Sequence, residues 1–124
     1  KLREELGMSF VVTRGLEGCL FVYSSDEWNK LVEKLKKLPF TKKDARAFLR
    51  FFLSGATECT FDKQGRVALP VPLVSYAKLK KECVIIGVND RLEIWAEDSF
   101  NEFFSENEEN ISDLAEDLFD NMED

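Results

Sequence analysis

Asp62-Lys63-Gln64-Gly65-Arg66-Val67-Ala68-Leu69-Pro70 reads as a polar five-residue loop that opens into a short apolar run and ends on proline. An Asp carboxylate accepts N–H bonds from the residues that follow it and so closes an Asx-type turn. Gly65 permits the positive φ that most residues resist. Arg66 begins the outgoing run, where its guanidinium has two uses: pairing with Asp62 across the loop, or meeting a phosphate or a guanine edge. Spacing alone leaves both open. Thr57 to Phe61 leads into the loop and Val67 to Leu69 leads out, so the stretch predicts a strand–loop–strand unit.

Working outward, Pro70 and Pro72 make a stiff corner before a short helical stretch around Leu73 to Lys78. Cys83 to Val88 and Leu92 to Trp95 flank Asn89-Asp90, a dipeptide suited to a hairpin turn. Two helices follow, one using Phe100, Phe103 and Phe104, the other Ile111, Leu114, Ala115, Leu118 and Phe119. Toward the N-terminus, Ala45, Phe48, Leu49, Phe52 and Leu53 form one helical stripe, opened by Thr41 with Asp44 and ended by Gly55. Trp28, Leu31, Val32 and Leu35 form another, capped by Asp26 and stopped by Pro39. Before these, Phe10 to Thr13 and Leu20 to Tyr23 read as strands around Arg14-Gly15-Leu16-Glu17-Gly18.

Sliding the halves against each other exposes an internal repeat. Leu20-Phe21-Val22-Tyr23 followed by Trp28 matches Leu92-Glu93-Ile94-Trp95 followed by Phe100, an offset of 72 residues. Val11-Val12 matches within Val84 to Ile86 after one residue of loop difference. The second copy has an extra front end, Glu58 to Leu69. Shifted back by 72, its loop falls about ten residues before Lys1, so the first copy is expected to be truncated and the chain to begin partway into its gene product.

The 124 residues suffice for one ordinary domain or two very small ones. No apolar run reaches a membrane span and the start has no signal-peptide pattern, which predicts a cytoplasmic protein. With no histidine, Ser-His-Asp and Cys-His nucleophilic sites and His-rich zinc sites are excluded. Cys19, Cys59 and Cys83 are far apart and lie in apolar stretches, so they are expected to be reduced, buried and dispensable, with no metal. The reading is of a protein that is not an enzyme and needs no cofactor or small-molecule substrate.

Charge divides unevenly. The net charge is −7, yet residues 97–124 hold 12 acids and no Lys or Arg, leaving +5 on residues 1–96. Lys30, Lys34, Lys36, Lys37, Lys42, Lys43, Arg46 and Arg50 against Glu33 and Asp44 make the stretch 30–50 a +6 segment. A basic body with an acidic tail suits an anionic partner for the body, and the tail's charge is expected to oppose DNA rather than contact it.

The Asp62 to Pro70 stretch resembles the second of two tandem Asp-x-x-x-Arg motifs in the MraZ proteins, bacterial transcriptional regulators. Phe10-Val11-Val12-Thr13-Arg14-Gly15, Leu38-Pro39-Phe40-Thr41-Lys42-Lys43-Asp44-Ala45-Arg46, and Val84-Ile85-Ile86-Gly87-Val88 with Leu92-Glu93-Ile94-Trp95 agree with it. The resemblance implies an α+β fold of two tandem AbrB-like swapped-hairpin β half-barrels with connecting and C-terminal helices. It divides the chain into a first repeat (1–27), a basic helical connector (28–54), a second repeat (55–98) and an acidic helical tail (99–124). It further implies a homo-oligomeric, octamer-like ring that binds double-stranded DNA at promoter direct repeats upstream of the cell division and cell wall operon, usually repressing it, in the nucleoid. The DNA-binding residues carried over are Lys63, Gln64 and Arg66, with Asp62 and Gly65 structuring the loop. The family's first strand and first Asp-x-x-x-Arg motif have no counterpart in this sequence.

Two other functional classes compete. A self-assembling scaffold fits the Phe-rich stripes and acidic tail without specific DNA binding. A carboxylate–metal hydrolase built on the tail acids fits poorly, because acids spread along helices form a solvated face.

Overall fold

Two hairpins of the same build form the centre of the protein, whose computed structural model describes residues 2–122. Lys1 and two of the tail acids, Glu123 and Asp124, lie outside the described residues. A short helix α1 (Leu2–Leu6) leads into β1 (Ser9–Arg14) and β2 (Leu20–Ser24). Helices α2 (Ser25–Leu35) and α3 (Lys43–Ser54) carry the chain to β3 (Thr57–Thr60). Helix α4 (Val71–Tyr76), the hairpin of β4 (Cys83–Val88) and β5 (Arg91–Ala96), and helix α5 (Glu97–Asn107) follow. A 3-10 turn (Glu108–Asn110) then leads to α6 (Ile111–Met122).

The strands form one five-stranded sheet in the order β3-β1-β2-β5-β4, with every pairing antiparallel. The two hairpins meet where Leu20 pairs with Ile94, Phe21 with Glu93 and Val22 with Leu92. Phe21 and Glu93 are the positions related by the 72-residue offset, so a local two-fold axis passes between them. Registers extend the symmetry outward: Phe10 faces Ser24 in one hairpin as Cys83 faces Ala96 in the other. β3 belongs to the second repeat by sequence but pairs with β1 of the first, Phe10 opposite Cys59. The halves therefore share one exchanged, interlocked sheet, as the α+β reading anticipates.

Alternation along the strands builds two cores, one on each face. Phe10, Val12, Leu20, Val22 and Cys59 pack with Leu73 and Ala77 on one side, backed by Phe61, Val67 and Leu69. Cys19, Phe21, Tyr23, Phe52 and Trp95 pack on the other, under Trp28, Phe48, Phe100 and Phe103. β2 lies under both cores, and four of its five residues are buried. On the second face, Thr13 donates to the carbonyl of Phe52 and ties α3 to β1. Arg14 Nη1 donates to the Phe51 carbonyl (2.8 Å) and Ser54 Oγ (2.9 Å) at the C-terminal end of that helix, where a cation is favourable.

Several local expectations need correction. Ser24, not Asp26, caps α2: β2 runs straight into the helix, and the Ser24 hydroxyl accepts from the Glu27 amide at 3.2 Å. α3 begins after Lys42 rather than Thr41, with no side-chain cap, because the Lys42 amide closes a turn on the Pro39 carbonyl (3.0 Å). Val67 to Leu69 pack against the first core but form no strand. Cys19 and Cys59 are buried as expected, whereas Cys83 is exposed, because it opens β4 at the sheet edge.

Candidate nucleic-acid interface

The loop after β3 is organised by one carboxylate. Asp62 Oδ1 accepts from the amides of Gln64 (2.9 Å) and Arg66 (2.7 Å). Backbone bonds from the Asp62 amide to the Arg66 carbonyl (2.8 Å) and from the Gly65 amide to the Asp62 carbonyl (3.0 Å) close the turn. Gly65 sits at φ 78°, a conformation in which a side chain is strained.

Arg66 is steered without being consumed. Its Nε lies 3.4 Å from Asp62 Oδ2, and its Nη2 donates to Gln64 Oε1 at 2.8 Å. The side chain remains 73% exposed, so the fork keeps donors directed at solvent. Of the two uses that spacing leaves open, the structure makes the pair with Asp62 and leaves room for the other. Lys63 at the tip makes no ion pair among the described residues. The base of the loop is anchored by Phe61, Val67 and Leu69, and the Phe61 ring packs at a tilt of 47° against Phe10 with ring centroids 4.9 Å apart. An apolar cleft of about 270 Å³ lies beneath, running from Gly65 to Cys83 and Ile85 on β4.

The +6 connector is not part of this surface. α2 and α3 cover the Phe21–Trp95 face of the sheet, whereas the loop rests on the Phe10–Val22 face. The structure brings Lys63, Gln64 and Arg66 together and sets them apart from Lys30 to Arg50. Charge counting merges two basic features that the sheet separates.

One polar network escaped the sequence reading. Glu93 is buried on the two-fold axis, where it accepts from Trp95 Nε1 (3.0 Å) and pairs with Arg91 Nη2 (3.0 Å). The Arg91 guanidinium lies 4.2 Å above the Phe21 ring. The signal was present as opposite charges two apart on a strand otherwise facing the aromatic core. This network joins the repeats and engages both Glu93 oxygens, while the buried Arg91 Nε has no hydrogen-bond partner among the described residues. Burial pushes the Cys19 thiol up to about 12, with Glu93 adding to the effect, and raises Tyr23 to about 12. Among the described residues no three His, Cys, Asp or Glu side chains gather into a metal site, and no helix is long and apolar enough to cross a membrane.

Both halves match one family profile, described as "MraZ protein, putative antitoxin-like", over residues 1–51 and 52–122. A protein of Ligilactobacillus salivarius (strain UCC118) named Transcriptional regulator MraZ is 59% identical over 120 residues, covering 97% of this chain and 84% of the relative. A protein of the same name from Limosilactobacillus reuteri (strain DSM 20016) is 56% identical over 118 residues, covering 95% and 83% respectively.

Proposed function

Because the chain belongs to the MraZ family, we propose that it is a sequence-specific, DNA-binding transcriptional regulator, acting as a repressor at direct repeats upstream of the cell division and cell wall operon. One observation carries this reading: the Asp62 carboxylate fixes a tight loop from which an exposed, half-engaged Arg66 projects. An arginine whose Nε and one Nη are steered by neighbours is prepared for a two-pronged acceptor such as guanine O6 and N7. Lys63 supplies a mobile charge for a backbone phosphate, and Gln64 both steers Arg66 and offers its amide to a base edge. Asp62 and Gly65 build the loop without touching DNA.

A single loop gives one or two base contacts, each worth about 1–3 kcal/mol, too little to select one promoter in a genome. The proposal therefore includes a homo-oligomeric ring that repeats the loop, so that later contacts become intramolecular and avidity gains roughly 10²–10⁴. In this reading residues 1–27 and 55–98 are the two repeats, 28–54 the connector and 99–124 the tail, and the protein works in the cytoplasm on the nucleoid. The competing reading, a scaffold without specific DNA binding, is favoured by the exposed apolar side chains of α6.

A gel-shift on the gene's own upstream DNA separates the two. The regulator reading expects retardation of that fragment over unrelated DNA, with the preference lost in Arg66→Ala and affinity falling steeply with salt. Equal retardation of both fragments by the wild-type protein would overturn it.

A further inference from the structure

Helix α6 carries an apolar stripe that none of the described residues covers. Ile111, Leu114, Leu118, Phe119 and Met122 recur at helical spacing and all are exposed. The helix buries no residue, and its remaining faces hold Asp113, Glu116, Asp117 and Asp120 without a single base. In the first half the corresponding partner is different. α3 follows α2 as α6 follows α5, yet α3 turns back on the sheet, burying Phe52, which stacks on Trp28 with ring centroids 5.8 Å apart.

A surface suited to α6 must offer exposed apolar groups in a positive field. The connector has one such face. Lys43, Arg46, Arg50 and Leu53 fall three and four residues apart along α3. Arg46 Nη1 donates to the Phe40 carbonyl (3.0 Å), which holds the Phe40 backbone beside this face. Phe40 and Leu53 are exposed, and Lys43 and Arg50 make no ion pair among the described residues. In the single chain both the stripe and this face stand open, so neither covers the other.

We propose that α6 of one copy docks on the α3 face of a second copy, its apolar stripe on Phe40 and Leu53 and its acids against Lys43, Arg46 and Arg50. The inference rests on the assembled regulator described above and names the surfaces that join its subunits. Because tail and connector are different surfaces of one chain, the contact is head-to-tail, the kind that closes a ring when the rotation permits. It also gives the connector, turned away from the loop by the sheet, an anionic partner other than DNA. The tail's negative field is then spent against a neighbour instead of repelling phosphates.

Sedimentation velocity on the full chain at fixed salt tests this with reciprocal charge reversals. Lys43→Glu with Arg50→Glu makes the connector face acidic; Glu116→Lys with Asp120→Lys makes the tail basic. Wild type is expected to sediment as a multimer and each double variant as a monomer. An equimolar mixture of the two variants, whose tails and connectors now complement only each other, is expected to regain the multimer. Leu114→Asp with Leu118→Asp should dissociate it with all connector charges intact. A wild-type monomer at every concentration, reversed variants of unchanged mass, or a mixture that stays monomeric would each overturn the proposal. Arg66→Ala is expected to keep the multimer, so loss of DNA binding in that variant is read independently of the docking contact.

Discussion

Replacing Asp62 with Ala removes the acceptor around which the loop is folded. Its carboxylate takes two backbone N–H bonds at 2.9 and 2.7 Å and a weaker approach from Arg66 Nε at 3.4 Å. A net hydrogen bond contributes about 1 kcal/mol, and those to charged acceptors somewhat more. The Asp62 side chain is 47% exposed, so water replaces part of what is lost. The loss is therefore about 1–2 kcal/mol, which for a chain of this length lowers Tm by about 3–8 °C. Arg66→Ala deletes an exposed ion pair with Asp62 and an exposed hydrogen bond to Gln64, together worth about 0–1 kcal/mol, and should move Tm by about 4 °C or less. Asp62→Asn keeps an oxygen acceptor and should fall between them. The assay is thermal unfolding by circular dichroism at one protein concentration, since assembly makes Tm depend on it. DNA affinity is measured on the same samples. Asp62→Ala should lose both stability and binding, Arg66→Ala binding alone. An Arg66→Ala variant destabilised as much as Asp62→Ala would show that the pair is a structural lock and refute the division of labour.

Other expectations concern the core. An added Cβ at Gly15 would lie 2.5 Å from Phe21 Cδ1 and 2.9 Å from the Cys19 carbonyl. Gly15→Ala should therefore cost about 1–3 kcal/mol in a urea melt, and an unchanged midpoint would contradict that packing. In the native protein a thiol reagent should modify exposed Cys83 at a free-thiol rate and spare Cys19 and Cys59, whose thiols burial pushes up; three equally fast cysteines would refute their placement. The raised Cys19 value also sets an alkaline limit. Above its ordinary 9.0 the unfolded thiol loses its proton while the folded one holds it toward about 12, so this stability is complete below pH 9.0 and is lost as pH rises through that window. Cys19→Ala should flatten part of the alkaline loss, as read from melts between pH 8 and 11.

Much of this architecture was legible because its signals are local. Asn89, at φ 58°, and Asp90 form the two-residue loop joining Val88 to Arg91, as that dipeptide suggests. The repeat offset, readable from Leu20 to Trp28 against Leu92 to Phe100, locates the two-fold axis at Phe21 and Glu93. What escaped depends on partners distant in sequence. Val67 to Leu69 have the composition of a strand but pack by side chain alone, without a ladder. Cys83 has apolar neighbours, yet β4 is the sheet edge and its outer residues stay open. Ser24 takes the cap from Asp26 because the sheet sets where the helix starts. The Asp62–Arg66 loop was readable residue by residue, since every bond that shapes it spans four positions or fewer. The separation of that loop from the basic connector was not, because it depends on which sheet face each one covers.

The central claim is that loops repeated around an assembly read repeated DNA, and spacing tests it most directly. Fluorescence anisotropy of wild-type protein would be measured on two duplexes carrying the same upstream direct repeats, one natural and one with half a helical turn inserted between them. Every base contact is kept, so only simultaneous engagement changes. The account predicts that respacing weakens binding by a large part of the roughly 10²–10⁴ avidity gain, approaching the affinity for a single repeat. Equal affinity for both duplexes, with the protein assembled, would contradict it.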